Sequence, residues 1–257
     1  MRLLALIGSK RLGNSVFSAK YVAKKIGADL EIVNLANSKI KPCKACYACL
    51  FGEECKIDDD VYGILGKIEE SDAVLISSPV YWLDATGKAK LFLDRCFMAY
   101  PKLDAFKDKR GAIVYFYGFE ELRGWASSTY NLMLRCLGIE PLIVAPVHSP
   151  LPGQVFEKVE TLDKVVEALK DGKRFVFDGQ CPVCLSESFR YANGFECAIC
   201  GSKLNERLEV VEKGEKLSYE WMIRHYDELK HFKEFFLKKR GELKELVERY
   251  VGEGDKR

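Results

Sequence analysis

The segment Leu3-Leu4-Ala5-Leu6-Ile7-Gly8-Ser9-Lys10-Arg11-Leu12-Gly13-Asn14-Ser15 decides the fold. Its apolar run is short enough for a strand buried on both faces, and the polar turn behind it leads into an amphipathic stretch from Ser15 to Ile26. A buried strand running into a helix is the first half of a βα unit. The alternation recurs, with strands predicted at Leu30 to Leu35, Ala73 to Ser77, Ala112 to Phe116 and Leu142 to Val147. Helices are predicted at Asp60 to Glu70, Ala85 to Ala99, Leu122 to Leu137 and Glu157 to Lys170. Such a pattern implies an α/β, doubly wound domain on a five-stranded parallel sheet.

The whole chain has 257 residues, 48% of them hydrophobic, enough for a real core in one large or two modest domains. Forty basic against 38 acidic residues leave a net charge of +2, so no global basic field recruits nucleic acid or an anionic membrane. No apolar run approaches the roughly 18 residues of a bilayer span, and the first residues lack a signal-peptide cleavage pattern. A cytoplasmic protein is expected. Eight of the ten cysteines fall into two tight C-x-x-C clusters, a spacing that reads as metal ligation rather than as a disulfide framework.

The turn Gly8 to Ser15 would present backbone N–H groups, hydroxyls and the positive end of a helix dipole to an anion. It has neither the G-x-G-x-x-G of dinucleotide sites nor the Lys-Ser/Thr ending of a triphosphate loop, which favours a terminal monophosphate such as that of FMN. Ser77-Ser78-Pro79-Val80-Tyr81-Trp82 follows the third strand, at the sheet edge where open α/β folds bind ligands, and its two aromatic residues could flank a flat ring.

Cys43, Cys46, Cys49 and Cys55 form C-x2-C-x2-C-x5-C. Close thiolates repel, so four together need a cation or a cluster, and the tight triplet suits three corners of a [4Fe-4S] cube with Cys55 at the fourth. Zinc and a metal-free loop are the other readings. Cys181, Cys184, Cys197 and Cys200 pair two knuckles as C-x2-C-x12-C-x2-C, the spacing of a four-thiolate tetrahedral site, with structural zinc favoured and iron the alternative. Cys96 and Cys136 lie on apolar helices and read as core thiols, while His148, His225 and His231 show no ligand spacing with one another.

Taken together, G-S-x-R-x-x-N-S at Gly8 to Ser15, the cysteines followed by Asp-Asp between Cys43 and Asp59, S-P-V-Y at Ser78 to Tyr81 and K-x-F-L-D-R at Lys90 to Arg95 resemble the NADPH-dependent FMN reductases. Within that family they are most similar to the iron-sulfur flavoproteins of anaerobes. The likeness runs from Met1 to about Lys170 and implies a flavodoxin-like fold. It also implies that Ser9, Arg11, Asn14 and Ser15 hold the FMN phosphate, and that Pro79, Val80, Tyr81 and Trp82 line the ribityl chain and flavin. Gly118 belongs to the position of a third flavin loop, here aromatic and acidic rather than glycine-rich. A homodimer or tetramer is implied as well. The second cysteine cluster resembles zinc ribbons and rubredoxin-type knuckles.

Three segments are therefore expected: residues 1–172 for the flavodoxin-like domain with its cysteine loop, 173–212 for the ribbon and 213–257 for a C-terminal helix. Met222, Tyr226, Leu229, Phe236, Leu243, Val247 and Tyr250 give that helix an apolar stripe that packs on its own chain or forms a dimer seam. The predicted function is an FMN-dependent oxidoreductase with a [4Fe-4S] cluster, coupling one-electron carriers such as ferredoxin to two-electron carriers such as NAD(P)H. The rival readings are a cluster-free NAD(P)H-dependent FMN or quinone reductase, and a redox-responsive scaffold that uses the ribbon and the long helix. No side chain is required as general acid or nucleophile.

Overall fold

The computed structural model describes residues 1–191 and 193–251; Ala192 in the ribbon, and residues 252–257 at the end of the expected C-terminal segment, lie outside the described residues. Five strands, β1 (Arg2–Ile7), β2 (Asp29–Asn34), β3 (Ala73–Pro79), β4 (Arg110–Tyr117) and β5 (Pro141–His148), form one sheet of order β2-β1-β3-β4-β5. Every pairing is parallel. The fold is flavodoxin-like.

Strand residues alternate between two cores, as period-2 geometry requires. Leu4, Leu6, Val74, Ile76, Ile113 and Tyr115 face one, beneath the helices α2 (Val61–Glu70), α3 (Gly87–Arg95) and α5 (Ala126–Arg135). Leu3, Ala5, Ile7, Leu75, Val114 and Phe116 face the other, against α1 (Asn14–Ile26) and α6 (Val159–Asp171). The short α4 (Leu103–Phe106) lies between α3 and β4. The expected helix from Ala85 to Ala99 ends at Arg95 and tightens into a 3-10 segment over Cys96–Lys102, where Pro101 cannot donate an α-helical hydrogen bond.

Four short strands, β6 (Phe189–Tyr191), β7 (Phe195–Cys197), β8 (Lys203–Leu204) and β9 (Val210–Glu212), make an antiparallel ribbon. It is docked firmly on the sheet domain. Leu185, just after its first knuckle, is 0% exposed and belongs to the same core as Tyr130 and Met133 of α5. The Asn131 side chain donates to the Cys184 carbonyl at 2.6 Å, and Gln180 donates to the Val144 carbonyl at 2.7 Å.

The last element is α7 (Tyr219–Val251), 33 residues long. Its first turns pack Met222 and Tyr226 against Leu50 and Leu103 of the sheet domain, whereas Phe232, Phe236, Leu243, Val247 and Tyr250 are exposed. The apolar stripe read from the sequence thus has two fates: its beginning is core, its remainder surface.

Because Leu185 fills the sheet-domain core from the ribbon, Leu185→Ala should cost about 2–5 kcal/mol. Urea unfolding followed by near-ultraviolet dichroism measures this as a lowered midpoint at unchanged slope.

Candidate flavin and metal sites

The sheet order reverses at β1, whose neighbours β2 and β3 are reached in opposite directions, so the crevice for a ligand opens beyond the carboxyl ends of β1 and β3. Gly8 sits at that opening. A Cβ there would fall 1.9 Å from the Ser78 hydroxyl, so only glycine lets the first loop pass β3 this closely. Behind it, Arg11 donates its backbone N–H to the Ser9 hydroxyl at 3.2 Å, and Asn34 donates its amide to the Ser9 carbonyl at 2.8 Å. No side chain caps α1 and no acidic residue occupies its first turn, leaving the dipole end open to an anion.

Asn14 is tied to the loop after β5. Its amide donates to the carbonyls of Ser149 and Leu151, each at 2.9 Å, and to the Ser149 hydroxyl at 2.6 Å, while its oxygen accepts from the Gly153 N–H at 2.8 Å. The side chain thereby fastens the loop after β5 to the start of α1.

The second loop is held from beneath by Tyr130, whose hydroxyl meets the Ser78 hydroxyl at 2.6 Å and donates to the Pro79 carbonyl at 2.7 Å. Burial pushes this phenol up to about 12, so it stays protonated as a donor. Above it, Tyr81 and Asp84 exchange backbone hydrogen bonds of 2.9 and 3.2 Å around Trp82 and Leu83, which adopt φ of +49° and +66°. Two non-glycine residues in the left-handed region are costly and need bracing. The third loop supplies it: Trp125 donates its N–H to the Leu83 carbonyl at 2.8 Å, and a Cβ on Gly124 would lie 2.0 Å from that oxygen. Trp82 is 99% exposed, and Tyr81, Phe119, Leu122 and Trp125 are exposed beside the same edge. Gly118 directly follows β4, its carbonyl 3.1 Å from Nε2 of His148.

Cys43, Cys46, Cys49 and Cys55 all line one cavity of about 900 Å³. Left-handed φ angles at Ala45 (+49°) and Tyr47 (+59°) curl the loop, and the Ala45 N–H points at Sγ of Cys43, 3.4 Å away. Burial, and then the neighbouring thiols of Cys55, Cys43 and Cys46, push the Cys49 thiol up. Among the described residues, the only His, Cys, Asp or Glu ligand atoms that gather in a group of three or more within 4.8 Å are those of the ribbon.

Sequence reasoning missed what surrounds this cavity. Trp221, Met222, His225 and Tyr226 of α7 roof it, with the His225 ring stacked on Trp221 at 4.4 Å. Cys96 and Cys136 line the wall too; each thiol donates to a carbonyl of its own helical segment, of Phe92 and Met133 respectively, at 3.4 Å. Arg95 is wholly buried, paired with Asp59 at 2.5 Å, and its Nη2 lies 3.5 Å from Sγ of Cys55. The Asp-Asp that follows the cysteines was the available signal. Burial raises the Asp59 carboxyl, but the Lys41 N–H, the Arg95 guanidinium and the Val61 N–H more than offset this and hold it below its ordinary value.

The second cluster is closed and regular. Cys181 and Cys200 have sulfurs 3.7 Å apart and Cys184 and Cys197 have theirs 3.4 Å apart, all four buried. Tetrahedral thiolates on about 2.3 Å bonds lie about 3.8 Å apart, so the donor set fits zinc or iron. The knuckles repeat one geometry: Leu185 and Gly201, at φ of +63° and +75°, donate N–H bonds to the carbonyls of Cys181 and Cys197.

Residues 1–138 match the family model described as NADPH-dependent FMN reductase. The chain belongs to this family. An iron-sulfur flavoprotein of Archaeoglobus fulgidus is 35% identical over 159 residues, covering 61% of this chain and 78% of that protein. A second iron-sulfur flavoprotein of the same organism is 33% identical over 187 residues, covering 68% and 83%. A solved flavone reductase shares the fold at a TM-score of 0.72 and 18% identity, over all of this chain and 99% of its own. As a member of the FMN reductase family the chain is an oxidoreductase. Among the described residues no helix is long and apolar enough to cross a membrane.

Asp59→Asn should cost about 3–5 kcal/mol, because it strands a buried guanidinium. An aspartate held below its unfolded value stabilises fully above that value, near 4, and progressively less as pH falls through the folded one. The variant's stability, followed by urea titration between about pH 5 and pH 2, should therefore fall less steeply than that of the parent.

Proposed function

We propose that this chain is an iron-sulfur flavoprotein that transfers electrons between one-electron and two-electron carriers. The reading is carried by the meeting of four thiols of the C-x2-C-x2-C-x5-C loop in one cavity, on a domain of the FMN reductase family. FMN, when bound, exchanges electrons singly or in pairs, whereas a [4Fe-4S] cluster passes one at a time.

The chain's own residues divide the work. Ser9, Arg11, Ser15 and the uncapped start of α1 bind the phosphate; Pro79 and Val80 line the ribityl chain, and Tyr81 and Trp82 cover the ring. Cys43, Cys46, Cys49 and Cys55 hold the cluster, and α7 closes one side of its cavity with Trp221, Met222 and Tyr226. Arg95 places a positive charge beside the Cys55 sulfur, which favours thiolate ligation there. The ribbon cysteines hold a structural zinc. Electrons come from or go to a ferredoxin-like protein or NAD(P)H, and the exposed apolar residues of α7 together with Trp82 support a homodimer or tetramer.

Protein purified without oxygen should contain about four irons, four sulfides, one FMN and one zinc per chain. FMN and zinc without sulfide after anaerobic reconstitution would instead leave a cluster-free flavin or quinone reductase. Cys43→Ser should lose the cluster's visible absorption while retaining FMN. Cys136→Ser should keep both, because the Cys136 thiol is bonded to its own helix; equal loss in the two variants would place the cluster elsewhere.

A further inference from the structure

Glu187 lies three residues after Cys184, on the metal-bearing ribbon, yet its carboxylate is buried against the sheet domain with 11% of the side chain exposed. The Tyr115 hydroxyl donates to it at 3.1 Å, the Ser127 hydroxyl at 3.2 Å and the Gln180 amide at 3.4 Å, and Arg123 stands 3.8 Å away. These partners are not scattered. Tyr115 is in β4 just before the third loop, Arg123 is inside that loop, and Ser127 is in the first turn of α5 just after it. One carboxylate from the ribbon thus contacts residues just before, within and just after the stretch 117–125.

The rest of that loop is weakly held. Phe119 and Leu122 are exposed, and Arg123 is the cation that faces the carboxylate. The residues beside Arg123 carry the brace of the second loop: Gly124 packs on the Leu83 carbonyl and Trp125 donates to it. The line of contact therefore runs from the metal knuckle through Glu187 and Arg123 to the left-handed pair Trp82 and Leu83. A carboxylate anchored by three donors and a cation has one position, and on the Leu83 side the strained turn leans on the loop that this carboxylate holds, while Thr129 of α5 donates to Asp84 at its other end.

We propose that Glu187 is a positioning residue for the flavin, so that metal binding in the ribbon and FMN binding at the sheet edge are coupled. The inference rests on the flavin reading given above. Folding of the knuckle on its metal fixes the backbone three residues from Glu187, and hence its carboxylate; loss of the metal frees it. By linkage, zinc must tighten FMN binding by the same factor as FMN tightens zinc binding.

The test uses the full chain, purified with its metals and stripped of flavin, then titrated with FMN by quenching of flavin fluorescence, alongside a thermal melt and a zinc assay. Glu187→Gln and Arg123→Gln should each retain zinc and a cooperative melt while binding FMN roughly tenfold more weakly, a coupling of ordinary size. The double variant should bind no more weakly than either single one, because both break one tie. Arg123→Lys, which keeps the cation, should recover most of the loss. If Glu187→Gln does not fold, Arg123→Gln decides alone, its side chain being 38% exposed and replaceable without opening the core. Unchanged FMN affinity in folded, zinc-replete variants, or strictly additive losses, would overturn the coupling and leave the flavin reading standing. A parent chain that binds no FMN would overturn both.

Discussion

A parallel sheet covered on both faces can put its chemistry only at its edge. Leu3 to Ile7 alternate between two dry cores, and every residue of that run is at most 1% exposed, so no polar group can be spared there. What remains is the carboxyl rim, where backbone groups leave the ladder and the strand order reverses. The near-collision of Gly8 with Ser78 marks how tightly the first two rim loops are drawn together.

Helix α5 is the platform that joins the parts. Its Tyr130 supports the aromatic loop, Ser128 bonds to Ser186 and Ser188 of the ribbon, Asn131 holds the Cys184 carbonyl, and Arg135 donates to the Leu217 carbonyl just before α7. A single rigid helix thus touches the carboxyl rim of the sheet, the ribbon and the entry to the roof over the cysteine cavity. Stability and site geometry are inseparable here, since the residues that fill the core beneath α5 also set where three separate loops can lie.

The two cysteine sites differ in shape. The ribbon set is buried, pseudosymmetric and narrow, a cage for one ion that the knuckle backbone alone can shape. The loop set is open on the side of Cys43 and Cys46, wide, and walled by aromatic and sulfur-bearing side chains from elements far apart in the chain. Arg95 and Asp59 fasten that loop with a buried ion pair, whose worth lies less in net stability than in forcing one placement of the backbone near Cys55.

The strands, their parallel sense, the glycine turn after β1 and both cysteine spacings were legible from residues alone, because each is written in local periodicity or in ligand spacing that a neighbouring segment cannot change. Asn14 shows where that legibility stops: its type and position suit an anion, and only the approach of the loop after β5 decides that its amide is engaged elsewhere. In the same way Trp221 and His225 carry no motif, Tyr226 shows only as part of an apolar stripe, and Glu187 is an ordinary surface glutamate in sequence. They acquire roles because α7 folds back over the cysteine loop and the ribbon presses against α5. The chain's own sequence determined which chemistry it can hold; the long-range packing of sheet, ribbon and terminal helix decided which side chains surround it, since burial and distance between remote segments are properties that no local spacing encodes.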